Sequence, residues 1–396
     1  MKKSDLSENR QRSLVKVEKY PGAFAIVPSP TPRRISLPSI QNEVARAHEA
    51  LGALNGLAQR LPNPDLITRT LDRREAVRSS QMEGTGSDMN DLFAYEATGS
   101  EDGLPPDVVV TLNYVKSLDQ GLLKVRAGHG TEALTSDLIK EVHANLMDGV
   151  RDFKGVPGEF RTIQNWIGGM NIYQAKIVPP PADYILDCMK DLELYLQNAY
   201  DEEAQYEVPL VIRMAIAHAQ FETIHPFVDG NGRVGRILMP LMLAAEGYPP
   251  VYLAGYLKEN QRAYFDGLGQ VQLQEKWTEW VSFFATSVTV AANESMQTAN
   301  RLLAVLERWK RVLAEVGFRS DAAISKLPEV LIGRPVVTTI QVKEMLDVSF
   351  PAASNALSKL EELGILQRPT QAQRNRVFVA GEVIDVLNRP VSDVSN

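Results

Sequence analysis

The twelve residues His225-Pro226-Phe227-Val228-Asp229-Gly230-Asn231-Gly232-Arg233-Val234-Gly235-Arg236 constrain this chain more than any other stretch. A helix rich in apolar residues (Val211, Met214, Ile216, Phe221) runs into them, and another (Ile237, Leu238, Leu241, Met242) leaves them. They therefore form a loop between two buried helices, ending at the N-terminus of the second. Such a terminus has backbone N–H groups without intrahelical partners and carries a partial positive charge. Gly230 and Gly232 let the backbone turn tightly and approach an anion closely. Asn231 can hydrogen-bond a phosphate oxygen, and Arg233 and Arg236, three apart, can fork onto further phosphate oxygens from one side of the first turns. Asp229 is an oxygen ligand suited to Mg²⁺, which commonly bridges one protein carboxylate and several phosphate oxygens. His225 is the candidate general base, because imidazole titrates near neutral pH. The pattern describes a nucleotide-phosphate site with a base beside it. No P-loop lysine pattern and no Gly-x-Gly-x-x-Gly after a strand competes for that role.

The rest of the chain predicts mainly helices around this loop. The 396 residues allow two or three domains, and 44% hydrophobic with 23% charged residues is ordinary globular composition. The first forty residues, with Pro21, Pro28, Pro30, Pro32 and Pro38, predict an irregular arm. Helical patterns cover 40–61, a stretch from an Asp65 N-cap, 108–124, 135–146, 183–200 and 208–224, with a loop over 87–107. Residues 160–178, with Trp166, Ile167, Ile172, Tyr173, Ile177 and Val178 around Gly168-Gly169, predict a short β-hairpin. An apolar stripe (Leu302, Leu306, Trp309, Leu313, Val316) predicts a helix linking two domains, with a homodimer contact as its second reading. Two helical segments at 337–347 and 350–363 and then two strands, 365–368 and 377–379, outline a winged helix. The expected division is 1–100 (arm and N-terminal helices), 101–298 (catalytic core) and 299–396 (linker helix and winged helix).

Charge and cysteine usage exclude several classes. A net charge of −7 argues against a protein that coats nucleic acid. From Arg301 onward 13 Lys and Arg face 11 Asp and Glu, so a winged helix there has thin charge support for binding DNA, even with Lys343, Lys359, Arg368, Arg374 and Arg376 available. Cys188 is the only cysteine, which excludes an internal disulfide framework and a multi-cysteine zinc site and fits a reducing, cytoplasmic location. Lys2 and Lys3 are not followed by an apolar stretch, so no signal peptide is expected. The most apolar run, Ile237–Ala245, is nine residues with Pro240 inside it, so no membrane association is expected. His143 and His218 lie on apolar helices and are expected to be core histidines.

The string His225–Arg236 resembles the signature of the Fic family, His-x-Phe-x-Asp/Glu-Gly-Asn-Gly-Arg-x-x-Arg, and matches it at every fixed position. Pro157-Gly158-Glu159-Phe160-Arg161 is similar to the stretch that leads into the family's target-docking flap. The resemblance implies a mainly α Fic core with a short β-hairpin flap, and transfer of AMP from ATP, with Mg²⁺, to a Ser, Thr or Tyr hydroxyl of a target protein or of the chain itself. His225 would take the hydroxyl proton, Asp229 would hold the metal, and residues 230–236 would bind the nucleotide, including Val234 and Gly235. Tyr264, Phe265 and Gln272 would line the adenine pocket, although the first two also fit a packing helix. Ile167, Gly168 and Gly169 would clamp the target by strand addition.

Upstream, Ser79-Ser80-Gln81-Met82-Glu83-Gly84 resembles the family's Ser/Thr-x-x-x-Glu-Gly/Asn inhibitory motif. Ser79 and Glu83 are four apart and share a helix face. Glu83 would compete with the ATP γ-phosphate for Arg236. Two rivals remain open on the sequence: hydrolytic removal of AMP from a modified protein, and a DNA-binding regulator whose core senses nucleotide. Ala254-Gly255, where many relatives carry a hydroxyl residue, leave the far wall of the nucleotide site undefined.

Overall fold

A computed structural model describes residues 1–34, 39–61, 63–151, 153–198, 208–319, 322–368 and 377–390. The N-terminal arm is ordered where the sequence predicts irregular chain. Helix α1 (Glu8–Arg12) is capped by Ser7, whose hydroxyl accepts the Arg10 N–H. Strands β1 (Leu14–Lys16) and β2 (Phe24–Ile26) follow as an antiparallel ribbon, Leu14 opposite Ile26 and Lys16 opposite Phe24. Pro21 and Pro28 fall outside the paired residues, so they do not interrupt the ladder.

Helix α2 (Gln41–Ala58) is followed by α3 (Pro64–Met82), which begins at N-cap Asn63 with Pro64 at N1, so Asp65 lies in the first turn instead of capping it. Residues 87–107 are not a continuous loop, as the polar sequence predicts. Asp88 and Asp91 form a capping box that starts α4 (Met89–Thr98), and Gly99, at φ 65°, ends it. Leu92, Phe93 and Ala97 bury its inner face. Then come α5 (Val108–Ala127), α6 (Ser136–Met147), α7 (Ile185–Leu196), α8 (Leu210–Ile224), α9 (Asn231–Ala245), α10 (Ala254–Glu259) and α11 (Gln261–Gln274). The apolar stripe after residue 300 is the last part of a 40-residue helix, α12 (Trp277–Val316).

The C-terminal segment contains α13 (Ala323–Gly333), β3 (Val336–Thr338), α14 (Thr339–Leu346), α15 (Phe350–Glu362), β4 (Val377–Val379) and α16 (Gly381–Leu387). Strand β4 pairs antiparallel with β3, and Gln367 adds a single bridge to Val379. Arg374 and Arg376, at the tip of the expected wing, lie outside the described residues, as does Tyr200 at the end of the expected helix 183–200. No helix among the described residues is long and apolar enough to cross a membrane.

By contact the chain forms two units, each assembled from separated segments: Met1–Asn55 with Asn113–Ala292, and Gly56–Leu112 with Asn293–Asn396. The first is built on α8, every residue of which is buried, with α7, α9 and α11 against it and α6 against α9. In the second, α3 packs on α13 and α16, while α4 meets β3, β4 and α16. A buried polar group ties α3 to the middle of α12: Glu294 accepts from Arg74 at 3.1 Å and from Arg78 at 2.9 Å, and Arg74 also donates to Thr298 Oγ1 at 3.1 Å. Burial lowers the Arg74 pKa to about 10, which still leaves it charged at neutral pH.

Candidate active site

Helix α8 ends abruptly at His225, which sits in the left-handed region at φ 49°, ψ 59° while its N–H donates to Phe221 O at 2.8 Å. A non-glycine residue there is strained, and strain persists only where the surroundings hold it. Donors from Arg161 and Asn165 hold this one. The Arg161 Nε donates to His225 O at 2.9 Å and its Nη2 to Pro180 O at 2.6 Å. The Arg161 N–H donates to Pro226 O at 2.9 Å, and Asn165 Nδ2 donates to Phe227 O at 3.2 Å. Arg161 is 3% exposed, and burial without a carboxylate partner lowers its pKa to about 10.

His143 braces the loop from α6. Its ring stacks on Phe227 with centroids 3.8 Å apart and 2° between planes. The Gly158 N–H donates to Nδ1 at 2.9 Å, so Nε2 carries the hydrogen and donates to Asp229 O at 3.1 Å. Both ring nitrogens are thereby used in the neutral form, and burial pushes the pKa down to about 4. This is the structural histidine that the sequence predicts.

The structure gives the residues of the motif different tasks. Gly230, at φ 80°, caps α9, and the first amides of that helix follow it without intrahelical acceptors. Asn231 is turned inward rather than toward a ligand. Its Oδ1 accepts the Phe227 N–H at 2.9 Å and its Nδ2 donates to Phe227 O at 2.9 Å. Gly232 is half-buried in the first turn, and Val234 is buried. Arg233 and Arg236 are 6% and 1% exposed, so both guanidiniums add positive charge to the buried N-terminal end of α9. Gly235 marks the close approach of α9 to α8: a Cβ there would lie 2.7 Å from Glu222 Oε1 and 3.2 Å from His218 Cε1. His225 keeps 21% of its side chain exposed, with Nδ1 3.7 Å from the Glu222 carboxylate.

His218 links α8 to two other elements. Its Nδ1 donates to Gly235 O at 3.1 Å, so Nε2 accepts from the Tyr264 hydroxyl at 2.9 Å, and burial pushes its pKa down to about 3. Tyr264 is 1% exposed and packs on Trp280, whereas its neighbour Phe265 is 51% exposed. Gln272 is buried and donates from Nε2 to Glu222 O at 3.1 Å. Of the three expected pocket residues, Phe265 alone presents a large open surface.

The expected hairpin over 160–178 is reduced to one antiparallel bridge, Ile167 with Ile177. Gly168 and Gly169 take φ 69° and 88°, which bends the chain out of an extended strand. At Gly169 a Cβ would meet Gln174 O at 2.5 Å, so the loop closes only with glycine there. In the second unit, Ser79 is buried in the last turn of α3, Glu83 is its exposed C-cap residue, and Gly84 reverses the chain at φ 95°.

Asp229 is exposed, and its Oδ1 accepts the Gly230 N–H at 2.6 Å. Among the described residues no group of three or more His, Cys, Asp or Glu side chains could hold a metal ion. A hard cation here would have one carboxylate from the chain and its other oxygens from elsewhere. That fits Mg²⁺ carried on nucleotide phosphates.

Several of these braces escape a reading of the sequence. Glu222, three residues before His225, has a spacing that could have flagged it. Arg161 and Asn165 lie about sixty residues from the carbonyls they hold, and no local pattern announces such a contact.

Residues 133–243 match the Fic/DOC family model, and residues 41–123 match the Fic/DOC family N-terminal model. The protein adenylyltransferase Fic of Culex quinquefasciatus is 33% identical over 175 residues, 44% of this chain and 32% of that protein. Protein adenylyltransferase fic-1 of Caenorhabditis elegans is 30% identical over 122 residues, 31% of this chain and 22% of that protein. The chain thus spans about a quarter to a third of the length of these relatives. A Fic family protein from Desulfovibrio desulfuricans G20 has the same fold at TM-score 0.52 and 21% identity, over 89% of this chain and 99% of that one. C. elegans Fic-1 (residues 134–508) aligns at TM-score 0.51 and 22% identity, over 66% of this chain and 73% of that one. The signature loop, set between two buried helices, thus falls within residues 133–243, which are similar to the Fic/DOC family, as residues 41–123 are to that family's N-terminal region.

Proposed function

We propose that the chain is a nucleotidyltransferase that moves AMP from ATP to a Ser, Thr or Tyr hydroxyl of a protein, either a target or the chain itself. The observation that carries this reading is the contrast within the signature loop. His143, Asn231, Arg161 and Asn165 all hold backbone, while His225 and Asp229 keep side chains accessible at the start of α9. The Glu222 carboxylate near His225 Nδ1 favours a proton on that nitrogen and leaves the Nε2 lone pair for chemistry.

The His225 Nε2 takes the proton of the acceptor hydroxyl, whose oxygen attacks the α-phosphorus. The bond from that phosphorus to the β-phosphate oxygen breaks, and pyrophosphate leaves. The first amides of α9, with Arg233 and Arg236, supply fixed positive potential where negative charge gathers on the phosphates. Asp229 would hold Mg²⁺, which neutralises phosphate charge when bound. Tyr264, Phe265 and Gln272 are read as the adenine side, and Ile167, Gly168 and Gly169 as the docking flap. Glu83, with Ser79 and Gly84, is read as a brake that acts by charge competition with the nucleotide. The elements from β3 to β4 are read as a winged helix, and the single cysteine supports a cytoplasmic setting.

The test is peptide mapping of the full chain after incubation with ATP and Mg²⁺. Glu83→Gly is expected to raise protein-bound adenylate, and adding His225→Ala to lower it again by about 10²–10⁴-fold, the usual contribution of a general base. Labelling that is indifferent to His225 refutes the assignment. Removal of AMP from a pre-labelled chain by the wild type, lost in Glu83→Gly, would establish the reverse reaction instead.

A further inference from the structure

The flap has too little structure of its own to hold a fixed shape. One bridged residue pair is less than a hairpin, and an isolated hairpin is itself marginal in water. Its order comes from the N-terminal ribbon. Ile172, Ala175 and Val178 on the flap's inner side share a buried cluster with Val17, Ala23 and Ala25 of the ribbon. The Tyr20 ring meets Trp166 edge-on, with centroids 6.2 Å apart and planes at 76°. The Ile26 N–H donates to Val178 O at 2.9 Å, and the Tyr173 hydroxyl donates to Pro21 O at 3.3 Å.

The opposite side of the flap is bare. Met170 is 86% exposed, and Gly168 and Gly169 are exposed too. Among the described residues, the backbone groups of 168–170 have no hydrogen-bond partner within the chain. Trp166 directly follows Asn165, which donates to the Phe227 carbonyl two residues after His225, so the flap leaves the signature loop at this ring. The arm is itself anchored near the nucleotide side. Ser7 N–H donates to Leu273 O at 2.9 Å, and Gln220 of α8 donates to Ser29 O at 2.9 Å.

We propose that the ribbon β1–β2 is the rigid backing of the flap, and that Tyr20 is a positioning residue. By pressing on Trp166 it sets the place at which an extended acceptor segment lies along 168–170. This rests on the adenylyl-transfer reading, because the acceptor is the protein whose hydroxyl is modified. An edge-on aromatic contact is suited to the task, since it fixes ring orientation as well as distance.

The experiment uses the full chain carrying Glu83→Gly, compared with the same chain carrying Tyr20→Ala or Tyr20→Phe. Hydrogen exchange over residues 166–178 is read together with AMP transfer to casein, an unstructured, hydroxyl-rich acceptor. Tyr20→Ala is expected to speed flap exchange at least tenfold while residues 225–234 stay unchanged. It should raise the KM for casein at least fivefold with the KM for ATP within twofold, and Tyr20→Phe, which keeps the ring, should restore both. Unchanged flap exchange overturns the proposal, and so does faster exchange with casein kinetics unaltered. If the parent chain transfers AMP neither to casein nor to itself, the adenylyl-transfer reading fails, and flap exchange alone then decides whether the ribbon backs the flap.

Discussion

Replacing Asn231 separates two accounts of the signature loop. The sequence pattern makes it a phosphate ligand; the structure closes both of its polar atoms onto Phe227. Phe227 is fully buried, so its N–H has no water to turn to when Asn231 becomes Ala. An orphaned buried donor costs about 1–3 kcal/mol. The Phe227 carbonyl loses less, because Asn165 Nδ2 still donates to it at 3.2 Å, and about 0.5–1.5 kcal/mol is the ordinary net value of one such bond. Asn231→Ala is therefore expected to lower the local opening free energy of residues 225–234 by about 2–4 kcal/mol. Native-state hydrogen exchange measures that quantity segment by segment, which suits a chain with two units better than one global melt.

Asn231→Asp sharpens the test through its pH dependence. The carboxylate can still accept the Phe227 N–H, but its second oxygen then faces the Phe227 carbonyl, where the amide donated. Only the protonated acid can donate there, so the folded-state pKa is expected to rise above the unfolded value of about 3.9. A group raised in the folded state stabilises below its unfolded pKa and loses that contribution as pH climbs through the folded one. Asn231→Asp should therefore match the wild type near pH 4 and fall behind it by pH 7. A local opening energy within about 0.5 kcal/mol of wild type in Asn231→Ala, the usual range for an inconsequential substitution, together with a tenfold or greater loss of ATP affinity, would refute this account and restore the phosphate-ligand role.

Three further outcomes follow from the same geometry. His143 and His218 titrate at about 4 and about 3 in the fold against about 6.5 unfolded, so the unfolded chain takes protons first as pH falls. Stability should rise by several kcal/mol from about pH 4 to 6.5, and Tm against pH should flatten in His143→Gln. Gly235→Ala sets a methyl 2.7 Å from Glu222 Oε1 and is expected to cost about 1–3 kcal/mol by overpacking, visible as faster exchange at the ends of α8 and α9. Glu294→Ala strands the buried Arg74 and is expected to destabilise the second unit by about 3–5 kcal/mol, read from exchange in α3.

What was legible in the sequence depended on distance along the chain. The α8–loop–α9 arrangement is local: apolar runs mark the helices, and glycines mark the turn at Gly230. Helix α4 was missed although its capping box is also local, because Asp88 and Asp91 read as loop residues until Leu92 and Phe93 find a surface to cover. The ribbon β1–β2 was missed because its apolar partners, Ile172 and Val178, lie some 150 residues away, and three-residue strands carry too little periodicity to stand out.

The same distinction applies inside the motif itself. A signature string reports which residue types a site needs, not which of them face a ligand and which hold the backbone. His225 sits in a left-handed conformation where α8 ends, and that conformation is unfavourable by itself. The chain therefore needs donors aimed at the carbonyls of 225–227, and takes them from Arg161, Asn165 and Asn231. Asn231 looks like a ligand because it lies between two glycines at a helix N-terminus, yet the same position puts its amide within reach of the residue four before it, and closing that short ring keeps the loop turned. The glycine at 235 shows the inverse case: with no side chain to contribute, it leaves room on α9 for the Glu222 carboxylate, which stands 3.7 Å from the imidazole within the last turn of α8.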